Sequence, residues 1–139
     1  MTEFGNDKND RRERVFQMLY AVDYNREASA EEQFSSFYDD GESIPTSGYA
    51  HDTFVGAVGF TSEADAMIEK DSKNWSASRM SGVVRTALRL SIYELLCTDI
   101  PPNVAINEAL ELVKKYGNEQ EPAFVNGILN RIAREAGRL

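Results

Sequence analysis

Apolar residues in this chain recur at i, i+3, i+4 and i+7, and no convincing run alternates with period two. Helices, not strands, must therefore supply its core. The clearest is "PPNVAINEALELVKKYG": Pro102 suits a first turn, and Ile106, Ala109, Leu110 and Val113 make one face. Gly117 then reads as a left-handed terminator, and Glu111 and Lys115 form an exposed pair four apart. The next stretch, "NEQEPAFVNGILNRIAREAGRL", places acids and Pro122 at its start and Val125, Ile128, Leu129 and Ile132 along its face. Arg131, Arg134 and Arg138 follow towards its end, an order that complements the helix dipole. "VVRTALRLSIYELL" puts Val84, Leu88, Ile92 and Leu95 on one stripe. "YAHDTFVGAVGFTSEADAMIEK" reads as one longer helix in which Gly56 and Gly59 would admit a close neighbour, and "SAEEQFSSFYDD" as a short acidic helix. The prediction is an all-α chain of about six or seven helices.

The opening helix, "NDRRERVFQMLY", raises a question of charge. Asp10 and Glu13 have capping-box spacing, which predicts Asp10 as the N-cap and Arg11, Arg12 and Glu13 as the first three helical positions. Val15, Leu19 and Val22 would face inward, with Phe16 and Tyr20 beside them. Cations at a helix N-terminus are disfavoured by about 0.3–1 kcal/mol each. Arg11, Arg12 and Arg14 are either a solvated end offset by Asp7, Asp10 and Glu13, or part of an anion site. In the second case guanidinium forks would join exposed N–H groups around phosphate oxygens. Charge counting leaves both open.

A chain of 139 residues can bury a core without staples. No run of 18 apolar residues is present, the N-terminus has no apolar signal core, and Cys97 is the only cysteine. These observations point to a soluble cytoplasmic protein with no internal disulfide and no membrane span. The net charge of −8 is unevenly spread: residues 23–71 hold twelve acids against Arg26 and Lys70, whereas residues 72–139 carry nine bases and seven acids. An acidic block thus lies between a neutral and a slightly basic end.

Parts for catalysis are few. His51 is the only histidine, and its Asp52 neighbour is one residue away, where helix geometry does not make two side chains converge. No second His or Cys stands at metal-ligand spacing, and "GAVG" at 56–59 sits in a helical pattern and makes no phosphate loop. Cys97 reads as a small buried side chain. No catalytic residue, metal ligand or cofactor is expected. In "AFVNGILNR", Asn126 and Gly127 interrupt a helix at a cost of about 1 kcal/mol for the glycine. Tight packing at Gly127 with a cap or turn role for Asn126 would explain them. So would a binding face in which Phe124 stacks on a base and Asn126 meets a base edge.

Taken in order, "RRERVFQMLYAVD", "LRLSIYELL", "PPNVAINEALELVKKYG" and "FVNGILNRI" resemble the NusB family of bacterial transcription antitermination factors. The resemblance implies two small helical bundles packed together, here about 10–72 and 75–137, and a non-catalytic role. It implies binding of boxA RNA jointly with the ribosomal protein NusE during transcription of ribosomal RNA operons, with NusA, NusG and RNA polymerase as further partners. Carried over, the RNA-binding residues are Arg11, Arg12, Arg14, Phe124 and Asn126, with the arginines as a phosphate clamp beside the stacking ring. Where many relatives have a denser basic run before the first helix, this chain has "DKND", so weak RNA binding without NusE is expected. The acidic block offers a face for a basic ribosomal protein. Two other roles fit the same resemblance. One is an accessory module of an RNA methyltransferase, although no methyl-donor domain fits before the end at Leu139. The other is a NusE-binding adaptor without RNA contact. Some relatives self-associate, so a homodimer is also within the family's range.

Overall fold

The computed structural model describes residues 8–22, 27–73 and 75–139. Among them are seven α-helices and no strand, in agreement with the periodicity. They are α1 (Lys8–Ala21), α2 (Ala30–Ser35), α3 (Tyr49–Gly59), α4 (Thr61–Asp71), α5 (Gly82–Cys97), α6 (Pro102–Tyr116) and α7 (Glu121–Glu135), with a 3-10 turn at Ala77–Arg79. No helix among the described residues is long and apolar enough to cross a membrane. Residues 1–7, with Asp7 of "DKND", and Asp23 and Arg26 of the acidic block lie outside the described residues.

The helices form two compact units that divide at Gly59–Phe60, whereas the sequence placed the division near 72–75. The difference is α4. Its buried Ala64 and Ile68 pack in the second unit, against α5 and α7. Arg89 fastens it with a two-pronged bond to Asp65 at 2.8 and 2.7 Å. The single helix expected over 49–70 breaks because Phe60 leaves helical geometry, with φ −98° and ψ 5°. A Cβ built at Gly59 meets nothing within 4 Å, so this glycine admits no close neighbour and instead weakens the helix where it stops.

In the first unit, Val15, Phe16, Met18 and Leu19 of α1 are buried, and α1 and α2 both pack on α3. Tyr20 is 56% exposed, and Val22 lies beyond the helix end. Phe34 and Phe54 are fully buried with ring centroids 5.6 Å apart, an aromatic pair that adds about 0.5–1.5 kcal/mol beyond its burial. The capping box of this unit is at α2: Ser29 Oγ accepts from the Glu32 N–H at 3.1 Å, and the Glu32 carboxylate accepts from the Ser29 N–H at 2.9 Å. Asp10 is not a cap. The first helix begins two residues earlier, at Lys8, and Asp10 sits inside its first turn.

In the second unit the predicted stripes hold: Val84, Leu88, Ile92 and Leu95 of α5 are buried, as are Val125, Ile128, Leu129 and Ile132 of α7. On α6, Ile106, Ala109 and Val113 are buried with Leu112, while Leu110 is half-buried. Ser91 Oγ donates to the Ala105 carbonyl at 3.1 Å and pins α5 to α6. The arginines read as complementing the α7 dipole have a more specific task. Arg131 donates to the Asp71 carbonyl at the end of α4, at 2.6 and 3.2 Å. Arg138 donates to the carbonyls of Leu95, Thr98 and Ile100, where α5 ends. Both satisfy terminal carbonyls that their own helices cannot.

Gly117 ends α6 in an extended conformation, φ −109° and ψ −163°, not the left-handed one predicted. Space explains the glycine: a Cβ here would collide with the Glu121 carboxylate and stand 2.9 Å from the Val113 carbonyl oxygen.

Candidate functional site

The predicted site residues are divided between the units: the arginines lie in the first, Phe124 and Asn126 in the second. On α1, the three arginines stand in different surroundings. Arg12 is 2% exposed, with its guanidinium carbon 5.8 Å from the centre of the Tyr49 ring, a cation–π contact between α1 and the start of α3. Its charge is therefore interior, which does not suit a direct clamp on an incoming phosphate. Arg11 and Arg14 are half-buried and reach the surface. Arg14 also stands close to Tyr38, where its charge partly offsets the upward shift that burial gives the phenol. Because the helix starts at Lys8, all three lie beyond its first three positions, where the unfavourable dipole interaction has largely decayed. The charge question raised by the sequence is answered by register.

On α7, the entry to the helix is fixed by a reciprocal pair. The Asn118 side-chain oxygen accepts from the N–H groups of Gln120 and Glu121 at 2.9 and 3.1 Å, and the Glu121 carboxylate accepts from the Asn118 N–H at 3.0 Å. Its other oxygen accepts from Ser81 Oγ at 2.9 Å, and Ser81 in turn caps α5. This bracing sets the rotation of α7, which leaves Phe124 40% exposed and Asn126 exposed two residues on. Asn130 Nδ2 donates to the Asn126 side-chain oxygen and to its carbonyl, both at 2.9 Å. One acceptor position of the Asn126 amide oxygen is thus already used. Asn126 sits well inside α7 and caps nothing. A Cβ at Gly127 would meet only Arg131 Nη1, at 3.6 Å, which is ordinary contact. Tight packing does not account for this glycine.

Sequence reasoning missed a second aromatic next to Phe124. Trp75 is 51% exposed and lines an open cavity of about 480 Å³ together with Arg79, Met80, Val84, Gln120 and Phe124. The Arg79 guanidinium carbon lies 5.4 Å from the Trp75 ring centre. The Trp75 segment is held from both sides: Ser72 Oγ donates to the Trp75 carbonyl at 2.6 Å, and Arg85 donates to the carbonyls of Ala77 and Met80 at 3.3 and 3.2 Å. The signal was present in "NWSASRMSG", a lone tryptophan in a serine-rich loop with an arginine four residues on.

Two further readings are corrected. His51 does converge with Asp52, its Nδ1 lying 2.8 Å from the carboxylate, while Nε2 lies 2.9 Å from Glu31 of α2. The bonds to Asp52 and then Glu31 raise the His51 pKa. The ring also meets Phe34 edge-on at 5.4 Å, so His51 joins α2 to α3. Cys97 is exposed because it is the last residue of α5; desolvation and the Glu63 charge raise its thiol pKa. Among the described residues, no group of three His, Cys, Asp or Glu side chains is placed to hold a metal ion.

Comparison with known proteins places these features in context. The NusB family model matches residues 9–134. The chain is 38% identical to transcription antitermination protein NusB of Thermoanaerobacter sp. (strain X514), over 94% of this chain and 92% of that one. It is 44% identical to the protein of the same name from Geobacter sulfurreducens, over 88% and 90% respectively. A solved structure of T. maritima NusB superposes with a TM-score of 0.79 at 36% identity, covering 94% of this chain and 92% of that one.

Proposed function

From a chain that belongs to the NusB family, we propose a transcription antitermination factor that binds single-stranded RNA. The RNA is of the boxA type, bound jointly with NusE while ribosomal RNA operons are transcribed, and NusA, NusG and RNA polymerase complete the assembly. The observation that carries this reading is on α7. An exposed phenylalanine, an exposed asparagine and a glycine with no packing neighbour to justify it stand within four residues. Such a face costs the fold stability and fits a stacked base with its edge contacted by an amide. Arg11 and Arg14 supply phosphate contacts from the first unit. Arg12 is held inside the first unit against Tyr49.

The acidic block is thinner as a partner surface than its composition implied. Glu31 is engaged by His51, Asp65 by Arg89, Glu32 by its own cap, and Asp71 is buried. Asp39 and Asp40, in the exposed connection between α2 and α3, are the acids we assign to a basic partner. The test is binding of a boxA-type RNA in the presence of NusE by wild type, Phe124→Ala and Arg11→Ala/Arg14→Ala. Both variants should bind more weakly, the arginine variant with a shallower salt dependence. Unchanged affinity in both would leave an adaptor that binds NusE without touching RNA.

A further inference from the structure

We infer that the cavity between Trp75, Arg79 and Phe124 is a stacking subsite that takes one unpaired RNA base against the indole of Trp75. The inference rests on the RNA-binding reading and extends it from a single exposed ring to a built pocket. Several observations converge. Half of the Trp75 surface is in water, although this ring is the largest apolar side chain in its loop. The segment that carries it is pinned by Ser72 and Arg85, so the ring is presented with little conformational freedom left to lose on binding. Arg79 lies against the same ring, which places a cation where a nucleotide phosphate would follow its stacked base. Phe124 forms the opposite rim, and Gln120 offers an amide at the mouth. The volume, about 480 Å³, falls within the usual range for small-ligand pockets.

An apolar protein segment is the competing occupant, and the lining argues against it. Such a segment would have to strip water from the exposed Arg79 and would gain no counter-charge in return. A nucleotide matches both the ring and the cation. The carboxylate in the lining, Glu121, has its two oxygens bonded by Ser81 and Asn118, which fix its orientation.

Trp75 is the only tryptophan in the chain, so its fluorescence reports this site alone. The experiment titrates the full chain with a dye-labelled, boxA-type single-stranded RNA, with and without the protein partner. Anisotropy of the dye and emission of Trp75 are followed together for wild type, Trp75→Ala, Trp75→Phe and Arg79→Gln. Saturable quenching of Trp75 in step with the anisotropy is expected. Trp75→Ala should bind about 5- to 100-fold more weakly with an unchanged salt slope, and Trp75→Phe should recover most of the loss. Arg79→Gln should flatten the salt slope by about 0.7. Binding without quenching, or with wild-type affinity in Trp75→Ala, overturns the subsite and leaves the RNA-binding reading intact. Emission that changes with the protein partner alone assigns the cavity to protein and also overturns it. No anisotropy change under any condition removes the RNA-binding reading, and the subsite with it.

Discussion

Replacing Arg12 by alanine would empty a site that is 2% exposed, whereas Arg11 and Arg14 are half-buried. Arg12→Ala is therefore expected to lower stability by about 2–4 kcal/mol, read as a fall in the urea midpoint, through lost packing against Tyr49. Arg11→Ala and Arg14→Ala, at half-buried positions, should each cost less stability than Arg12→Ala while each weakens RNA binding. Equal destabilisation by all three would contradict the division of labour. Gly127 allows a sharper separation of stability from binding. Gly127→Ala introduces a Cβ that meets only Arg131 Nη1 at 3.6 Å, so the helix should gain about 0.4–1 kcal/mol and Tm should rise. If α7 approaches RNA closely at this point, the same variant binds RNA less well. A fall in Tm would mean that hidden packing explains the glycine after all. Among single residues, the sequence revealed that Gly117 and Gly127 were special but not why. Gly117 answers to a carboxylate that folds back on it from four residues downstream, a contact that local spacing does not encode.

The helices were legible because their apolar stripes are regular, and the stripes of α5 and α7 are buried residue for residue as the spacing predicts. Their ends were less so. The first helix starts at Lys8 because a capping pattern at Asp10 and Glu13 is permitted but not required, and the long segment over 49–70 stops at Phe60. The α2–α3 pairing was missed because His51 draws one of its partners, Glu31, from 20 residues away. That pairing gives the first unit a pH signature. His51 gains two carboxylate partners on folding, so its folded pKa lies above the ordinary value of about 6.5. The stability it contributes is fully present below that ordinary value and is lost as pH rises through the folded pKa. Urea unfolding of wild type and His51→Gln across pH 5 to 9 should show the largest difference at the acidic end of that window, shrinking towards alkaline pH. A difference that grows with pH would show that His51 is held in its neutral form.

Across the chain as a whole, the proposed RNA contacts are a few places on an acidic protein rather than a broad basic surface. The net charge of −8 opposes RNA over most of the surface, and Arg11, Arg14 and Arg79 are the cations proposed to offset it. Arg11, Arg14, Phe124 and Asn126 were named from family motifs, and all four reach the surface. Trp75 and Arg79 were not, since only the fold brings that loop beside the start of α7. Few phosphate contacts mean weak binding without help, and a partner that adds its own contacts should raise affinity steeply. The decisive measurement is a titration of labelled boxA-type RNA at fixed salt with this protein, with NusE, and with both. Binding by the pair at least tenfold tighter than by either protein alone is the predicted result. Affinity of the pair equal to that of NusE alone would contradict it, since this chain would then add nothing to RNA recognition.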